Sequence, residues 1–185
     1  MTTTWKKYQL RLIDESQMTA TMDAAIRDLL CDCFPDDISV FGKTRHWHAS
    51  APTFSLVHEQ KSRVVGHVGV VVRLIRCGNV PVSVAGIQNL AVRPELRSCG
   101  LGRQLMSESM AKAKLQGISW GVLFCVPQLE KFYQSLDWRT VHTTVRMNDE
   151  RGINVQIPAK NICMAICLRS IPFPGGDIDL RGADW

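Results

Sequence analysis

One segment limits the folds open to this chain more than any other: an apolar strand that stops at a proline and continues into a glycine-containing turn. Residues 82–92 are largely apolar, Pro94 follows, and Arg97, Gly100 and Gly102 come next. Proline cannot donate to a sheet ladder, and glycine allows backbone conformations and close approaches that other residues resist. The segment therefore predicts a strand, a tight turn and the start of a helix in direct succession.

The predicted turn has the properties of an anion-binding site. A helix that begins at Gly100 presents unpaired backbone N–H groups and a partial positive charge at its N-terminus. Arg97 and Arg103 add full positive charges, which makes pyrophosphate the expected ligand. The alternative is a helix start whose glycines serve close packing alone. The sequence contains neither GxxxxGK[ST] nor GxGxxG, so a P-loop and a Rossmann fingerprint are both excluded.

Elsewhere in the chain, patterns typical of strands and of helices alternate. That order implies an α+β architecture in which a mixed, mostly antiparallel sheet is flanked by helices. A single domain over residues 1–185 is expected, with a core of about residues 8–168 and an irregular tail at 170–185, which is rich in proline and glycine. The predicted strands are 8–13, 53–59, 64–76, 82–92, 118–126, 139–147 and 159–168, and the predicted helices are 19–33, 100–116 and 127–136.

Composition narrows the class of protein. Hydrophobic residues make up 45% of the chain and charged residues 21%, which is typical of a soluble globular protein. The net charge of +5 fits either a solvated surface or attraction for an anionic partner. No segment interleaves basic and aromatic residues, so nucleic acid is not an expected partner. No apolar stretch reaches the ~18 residues of a membrane span.

Cysteine and histidine spacing bears on location and metal binding. The seven cysteines form no CxxC pair, which suggests a reducing compartment. The N-terminus has no apolar signal core, so a cytoplasmic location is expected. His46 and His48 stand two positions apart without a third nearby ligand, and no metal site is predicted.

Residues 97–102 (RSCGLG) match the Q/R-x-x-G-x-G/A signature of the GNAT superfamily of N-acetyltransferases, and the predicted element order resembles the GNAT fold. The resemblance implies an acyl-CoA-dependent N-acyltransferase with acetyl-CoA as its cofactor. It also implies that the turn holds the pyrophosphate of coenzyme A, while the preceding strand pairs with the pantetheine arm. The cofactor-binding residues implied in this way are Leu90, Ala91, Val92, Arg97, Ser98, Cys99, Gly100, Leu101, Gly102 and Arg103.

The segment FYQSLDW, which contains Tyr133, resembles the GNAT "FYxxxGF" segment. The resemblance implies that Tyr133 acts as general acid toward the sulfur of coenzyme A. Asp137 stands where the family usually has glycine, and Trp138 where it has phenylalanine. A core or rim tyrosine is the alternative role for Tyr133.

The general base is not evident from the sequence. A lysine-like amine is neutral only rarely at pH 7, at a cost of roughly 4.6 kcal/mol, so acyl transfer needs a proton acceptor. Gln88 lies where many GNAT enzymes place a glutamate; glutamine cannot take a proton but can orient a water or the substrate. The other candidates are Asp36, Asp37, His46 and His48, whereas His67, in an apolar strand, is predicted to be a satisfied core residue.

Two relatives within the superfamily suggest the acceptor. The tail, which ends in Asp184 and Trp185, resembles that of the aminoglycoside 2'-N-acetyltransferases, whose terminal acidic groups meet a cationic sugar. Residues 45–47 (RHW), 67–69 (HVG), 92–96 (VRPEL) and 171–182 (IPFPGGDIDLRG) resemble the nodulation N-acyltransferase NodA, which acylates the amine of a chito-oligosaccharide. Asp37, Asp184 and Trp185 are therefore the expected substrate-binding residues.

The leading hypothesis is an N-acetyltransferase that acts on a primary amine of a small molecule such as an amino sugar or aminoglycoside. The alternatives are a longer-chain N-acyltransferase of NodA type and a catalytically silent module that binds coenzyme A and regulates a partner. The sequence does not fix the acceptor, the acyl length or the oligomeric state, and a homodimer stays open.

Overall fold

A computed structural model describes residues 8–47 and 50–185, and there it shows ten strands and four α-helices. The strands are β1 (Gln9–Asp14), β2 (Phe54–Gln60), β3 (Arg63–Cys77), β4 (Val80–Val92), β5 (Trp120–Cys125), β6 (Arg139–Thr140), β7 (Val145–Asn148), β8 (Asn154–Gln156), β9 (Ile162–Cys167) and β10 (Ile178–Asp179). The helices are α1 (Ala20–Cys33), α2 (Ile38–Phe41), α3 (Leu101–Leu115) and α4 (Glu130–Gln134). No helix in the described ranges is long and apolar enough to cross a membrane.

All ten strands belong to one mixed sheet. Its order is β6-β9-β5-β4-β3-β10-β7-β8, and β2 also pairs with β3, with β1 beyond it. The pairs β4–β5 and β7–β10 are parallel, and the other described pairs are antiparallel. The predicted α+β class, with a mostly antiparallel sheet flanked by helices, is confirmed.

The two longer helices pack on the sheet through apolar faces, although Leu115, which the spacing assigns to the apolar face of α3, is 86% exposed. In α1, Met22, Ile26, Leu29 and Leu30 are buried, and the Oγ1 atom of Thr19 caps the helix by accepting from the Met22 N–H at 3.2 Å. In α3, the buried apolar residues are Leu101, Leu105, Met106, Met110 and Ala113. Both helices contact β3 and β4, so these two strands form the centre of the fold.

The predicted strand at 139–147 is wrong as a single element. Its first part, β6, pairs with β9, whereas its last part, β7, pairs with β10 and β8 at the other end of the sheet. The alternating pattern indicates extended backbone in both parts. It carries no information about the change of partner between them, because that depends on contacts distant in sequence.

The prediction of an irregular tail is also wrong where Ile178–Asp179 forms β10 between β3 and β7. Ile178 and Leu180 are fully buried, and Trp185 is 5% exposed. A Cβ atom placed on Gly86 of β4 would approach atoms of the Trp185 ring to 2.6 Å or less. The last residues of the chain therefore pack into the core directly over β4.

Candidate active site

The site begins where β4 leaves its neighbour β5. The two strands pair only between Val84–Ile87 and Trp120–Leu123, yet β4 continues to Val92. The register between β3 and β4 shifts between His67 and Gly69, and Asn89 adopts a φ of +52°. Such a bulge bends a strand and increases its twist. The last part of β4 therefore has a free edge that opens toward α3 and α4.

A cleft of about 680 Å³ lies along this free edge, which is a typical size for a cofactor site. Nine of the ten predicted cofactor-binding residues line it: Leu90, Ala91, Val92, Arg97, Ser98, Gly100, Leu101, Gly102 and Arg103. The tenth, Cys99, is exposed and is not among the lining residues. Cleft-lining residues that the sequence did not indicate include Cys33 and Phe34 at the end of α1, Leu96 in the turn, and Leu129 and Phe132 beside Tyr133.

The turn at the end of the cleft exposes main-chain donors. Gly100 has a φ of +85° and directly precedes α3, a conformation that glycine adopts at little steric cost. The first intrahelical bond joins the Gln104 N–H to the Gly100 carbonyl at 3.0 Å. The N–H groups of the residues before Gln104 thus have no partner within the helix, and they lie where an anion is stabilised by the helix dipole.

Three arginines surround this turn in different ways. The exposed Arg97 lines the cleft and donates through Nε to the Val92 carbonyl at 3.2 Å. Arg103 donates to the carbonyl and hydroxyl oxygens of Ser135, both at 3.0 Å, and so ties α3 to the residue after α4. Arg93, 1% exposed, pairs with carboxylates of α1 and anchors the end of β4. Its role was not indicated by the sequence pattern, because those carboxylates lie about sixty positions earlier.

Tyr133 lines the cleft from α4 and is 6% exposed. Its ring makes edge contacts with Phe132 and Trp138, at centroid distances of 5.0 and 6.3 Å. Burial, with a smaller contribution from Cys125, raises the pKa of the Tyr133 hydroxyl well above its ordinary value. The hydroxyl therefore carries its proton at neutral pH. Asp137, in the usual glycine position of the resemblance, has a φ of +67°, which aspartate tolerates better than most residues.

Gln88 is not among the residues that line this cleft. Its Nε2 donates to the Ser50 carbonyl at 2.7 Å, and its Oε1 accepts from the Trp47 N–H at 3.4 Å. The side chain is 3% exposed, and both ends of its amide are engaged by the segment between α2 and β2. The structure thus gives Gln88 a role in holding that segment on β4. A role for Gln88 in orienting a water or the substrate stays a prediction.

The end of the tail lies on the same face of β4 as Gln88. Arg73 donates to the Ala183 carbonyl at 2.5 Å and to the Ser50 hydroxyl at 3.0 Å, and Ser50 donates to the same carbonyl at 3.2 Å. The Arg73 guanidinium lies 5.2 Å from the centroid of the Trp185 ring. Burial lowers the pKa of Arg73, while the nearby Asp184 carboxylate raises it. Asp184 and Trp185 are thereby brought to the point where β4 leaves β5.

The remaining candidates for the general base differ in their surroundings. Asp36 and Asp37 belong to a single helical turn before α2, directly after Phe34 of the cleft wall. His46 follows the buried Arg45; burial and the charge of Arg45 lower its pKa, and its Nδ1 atom is buried without a hydrogen-bond partner. His48 lies outside the described residues. Within the described ranges, no cluster of three or more histidine, cysteine or acidic side chains could hold a metal.

His67 is fully buried, and both of its ring nitrogens are within bonding distance of partners, at 3.0 and 3.3 Å. The prediction of a satisfied core histidine is confirmed.

Comparison with known proteins places this architecture in a family. Residues 5–166 match the family model of nodulation protein A (NodA). An uncharacterized ycf52-like N-acetyltransferase from Prochlorococcus marinus is 40% identical over 63 residues, which is 34% of this chain and 35% of that relative's own length. The chain therefore matches about a third of the length of this curated relative.

Solved structures share the fold at low sequence identity. The N-acetyltransferase YhbS from Escherichia coli, in complex with CoA, superposes with a TM-score of 0.69 at 18% identity, over 94% of this chain and 89% of that one. An aminoglycoside 6'-N-acetyltransferase complexed with coenzyme A has a TM-score of 0.58 at 12% identity, over 88% of this chain and 99% of that one. The chain belongs to the nodulation protein A (NodA) family and has the fold of the GNAT N-acetyltransferases.

Proposed function

We propose that the protein transfers an acyl group from an acyl-coenzyme A, with acetyl-CoA as the expected donor, to a primary amine of a small molecule. The observation that carries the proposal is the cleft in which the free edge of β4 runs into the N-terminus of α3. One end of this cleft offers main-chain N–H groups and Arg97 to a pyrophosphate. The other end offers the strand edge of residues 90–92 and the protonated hydroxyl of Tyr133.

These positions suggest how the cofactor lies in the cleft. The pyrophosphate meets the N–H groups of residues 98–103, and the pantetheine arm runs along Leu90, Ala91 and Val92 toward Tyr133. An amide-containing arm can hydrogen-bond to a free strand edge as an added strand would. Two structural neighbours, YhbS and the aminoglycoside 6'-N-acetyltransferase, were crystallised with CoA, which supports this cofactor for a cleft of the same fold.

The reaction joins the amine nitrogen to the thioester carbonyl carbon and breaks the carbon–sulfur bond. The leaving thiolate takes the proton of Tyr133, the amine loses a proton to a base directly or through a water, and Tyr133 regains a proton from solvent as the base releases one. The base that we propose is His46: its Nδ1 atom is buried without a hydrogen-bond partner, and burial with the charge of Arg45 lowers its pKa, so the imidazole is neutral. Main-chain N–H groups of the free β4 edge would stabilise the oxyanion.

The acceptor that we propose is an amino sugar. Asp184 and Asp37 are the acidic groups that we propose for a cationic sugar, and Trp185, which is 5% exposed and packs over Gly86, would position Asp184 instead of stacking on the ligand. Membership of the NodA family favours a longer acyl chain as the second candidate. The engagement of both ends of the Gln88 amide favours the third, a silent CoA-binding module.

The test measures free thiol release from acetyl-CoA and from long-chain acyl-CoA with a panel of amino sugars, aminoglycosides and simple amines. Turnover with acetyl-CoA supports the proposal, and turnover confined to long-chain thioesters supports the NodA-type alternative. Tight CoA binding by calorimetry without turnover of any donor supports the silent module. In the active case, Tyr133→Phe should lower kcat by about 100-fold, whereas the only other tyrosine gives a matched control, Tyr8→Phe, with unchanged kcat.

A further inference from the structure

A buried chain of hydrogen bonds leads from Arg45 to the bulge of β4. The Arg45 Nη1 donor lies 3.4 Å from the Ser55 hydroxyl oxygen. The same oxygen lies 3.3 Å from His67 Nε2, and His67 Nδ1 lies 3.0 Å from the Asn89 carbonyl oxygen. Arg45, Ser55 and His67 are at most 3% exposed, so these polar groups depend on one another for partners.

The donor and acceptor properties of these groups determine which atom donates in each hydrogen bond. An arginine can only donate, so the Ser55 oxygen accepts from Arg45 and its single hydrogen is free to go to His67 Nε2. Nε2 is then an acceptor, which leaves the ring proton on Nδ1, where it donates to the Asn89 carbonyl. Burial lowers the pKa of His67 to about 4, so the neutral form that this arrangement needs is present at neutral pH.

A second bond closes the chain into a ring. The Asn89 side chain donates from Nδ2 to the Arg45 carbonyl at 2.9 Å. The Arg45 guanidinium is itself fixed by an ion pair with Glu15 and by another with Asp23 at 3.0 Å. Asn89 is thus held by both its main chain and its side chain, in a left-handed conformation that non-glycine residues rarely adopt.

We propose that His67 is a positioning residue for acyl transfer: its Nδ1–H donor holds the Asn89 bulge and thereby sets the free edge of β4 along which the pantetheine arm lies. This inference rests on the proposed acyltransferase function. The bulge shifts the register of β4 by one residue, so it decides which main-chain groups of residues 90–92 face the cleft. The pyrophosphate turn, anchored separately by Arg93, does not depend on the ring.

The proposal separates the two ends of the cofactor, which makes it testable without the acceptor. Calorimetry compares binding of CoA with binding of ADP, which carries the pyrophosphate and lacks the pantetheine arm. His67→Leu removes the donor, and His67→Asn keeps an amide N–H near the position of Nδ1. His58→Leu is the matched control, because His58 is a buried histidine of the neighbouring β2 whose ring nitrogens have no hydrogen-bond partner.

We expect His67→Leu to weaken CoA binding by about tenfold, as for loss of one buried hydrogen bond, and to leave ADP binding within about twofold. His67→Asn should recover most of the CoA affinity, and His58→Leu should change neither ligand. Equal weakening of CoA and ADP in His67→Leu, or no weakening of either, would overturn the inference.

If His67→Leu does not fold, Ser55→Ala takes its place, because it removes the hydrogen bond that holds the His67 ring at Nε2. A several-fold loss of CoA relative to ADP then supports the inference, and an unchanged ratio overturns it. The proposed function fails separately, when the unmodified protein binds neither CoA nor ADP. If an amine is found that the protein acylates, His67→Leu should also lower kcat, and His67→Asn should restore it.

Discussion

The cofactor side and the tail side of β4 are built by different means. The side that we propose for the cofactor, called the cofactor side, is almost one continuous segment, residues 90–103, whose contribution is mainly backbone amides and glycine conformations. The tail side joins Ser50, Arg73, Gln88 and Trp185 through side-chain contacts that span up to 133 positions. A site made of main chain can be recognised from a short pattern. A site made of side chains from separate elements depends on how those elements pack.

The contrast has a physical basis in what each side must do. A pyrophosphate is the same group in every protein that binds it. The N–H groups of a helix N-terminus after a glycine-containing turn can bind it whatever the neighbouring side chains are. An acceptor differs between enzymes of one fold, so the residues that meet it are free to vary. The four predictions below test whether the two sides can be damaged independently, beginning with the largest expected effect.

Gly100→Val should damage the cofactor side alone. Gly100 has a φ of +85°, which a β-branched residue adopts only with strain, and the added side chain would obstruct close approach of an anion. CoA affinity by calorimetry should fall by about 1,000-fold, or about 4 kcal/mol. Gly152→Val is the matched control: Gly152 has a φ of +77°, and a Cβ atom placed there would meet no atom within 4 Å, so the substitution should lower stability and leave CoA binding unchanged.

Acid should lower the stability of the protein through His67, which lies between the cofactor side and the tail side. His67 has a pKa of about 4 in the folded protein against an ordinary 6.5, so the unfolded chain binds more protons between these values. The free energy of unfolding should therefore decrease as pH falls from 6.5 to 4, by about 3 kcal/mol from this group. Urea denaturation of the protein and of His67→Asn across this range measures the difference. Identical pH slopes for the two proteins would contradict the assignment.

Gly86→Ala should damage the tail side. The new methyl group would overlap the buried Trp185 ring, so the tail must move, at a cost of about 2 kcal/mol in the free energy of unfolding. CoA affinity should stay within about twofold, because neither Gly86 nor Trp185 lines the cofactor cleft. The double variant Gly86→Ala with Trp185→Ala should lose less unfolding free energy than the sum of the losses in the two single variants. Strict additivity would mean that the two residues do not touch in solution.

The smallest effect is expected for Arg97→Gln. Arg97 is exposed and lines the cleft, so solvent and salt screen its attraction for a pyrophosphate. CoA affinity should fall by about fivefold, or about 1 kcal/mol, at low ionic strength, and the difference should shrink as salt is added. Arg151→Gln, at an exposed turn between β7 and β8, is the control and should bind CoA normally.

Much of the fold was predictable, and the failures share one cause. Helix α1 and the run from β4 through the turn to α3 follow from local periodicity, a proline and two glycines. The strand predicted at 139–147 and the irregular tail were wrong, because β10 forms by pairing with β3 and β7, and β7 by pairing with β10 and β8. Gln88 illustrates the same point within the site: its position in β4 was predicted, but its engagement by Ser50 and Trp47 was not.

By itself the sequence determined the α+β class, the strand–turn–helix cradle, and the resemblance that named coenzyme A, because these depend on backbone conformation and residues close together in the chain. The tertiary structure alone decided that Asn89 forms a bulge held by His67, that Arg93 anchors the cradle to α1, and that Trp185 covers Gly86. Those contacts join residues from 22 to 99 positions apart. No local pattern encodes them, because burial and partner choice are properties of the packed chain.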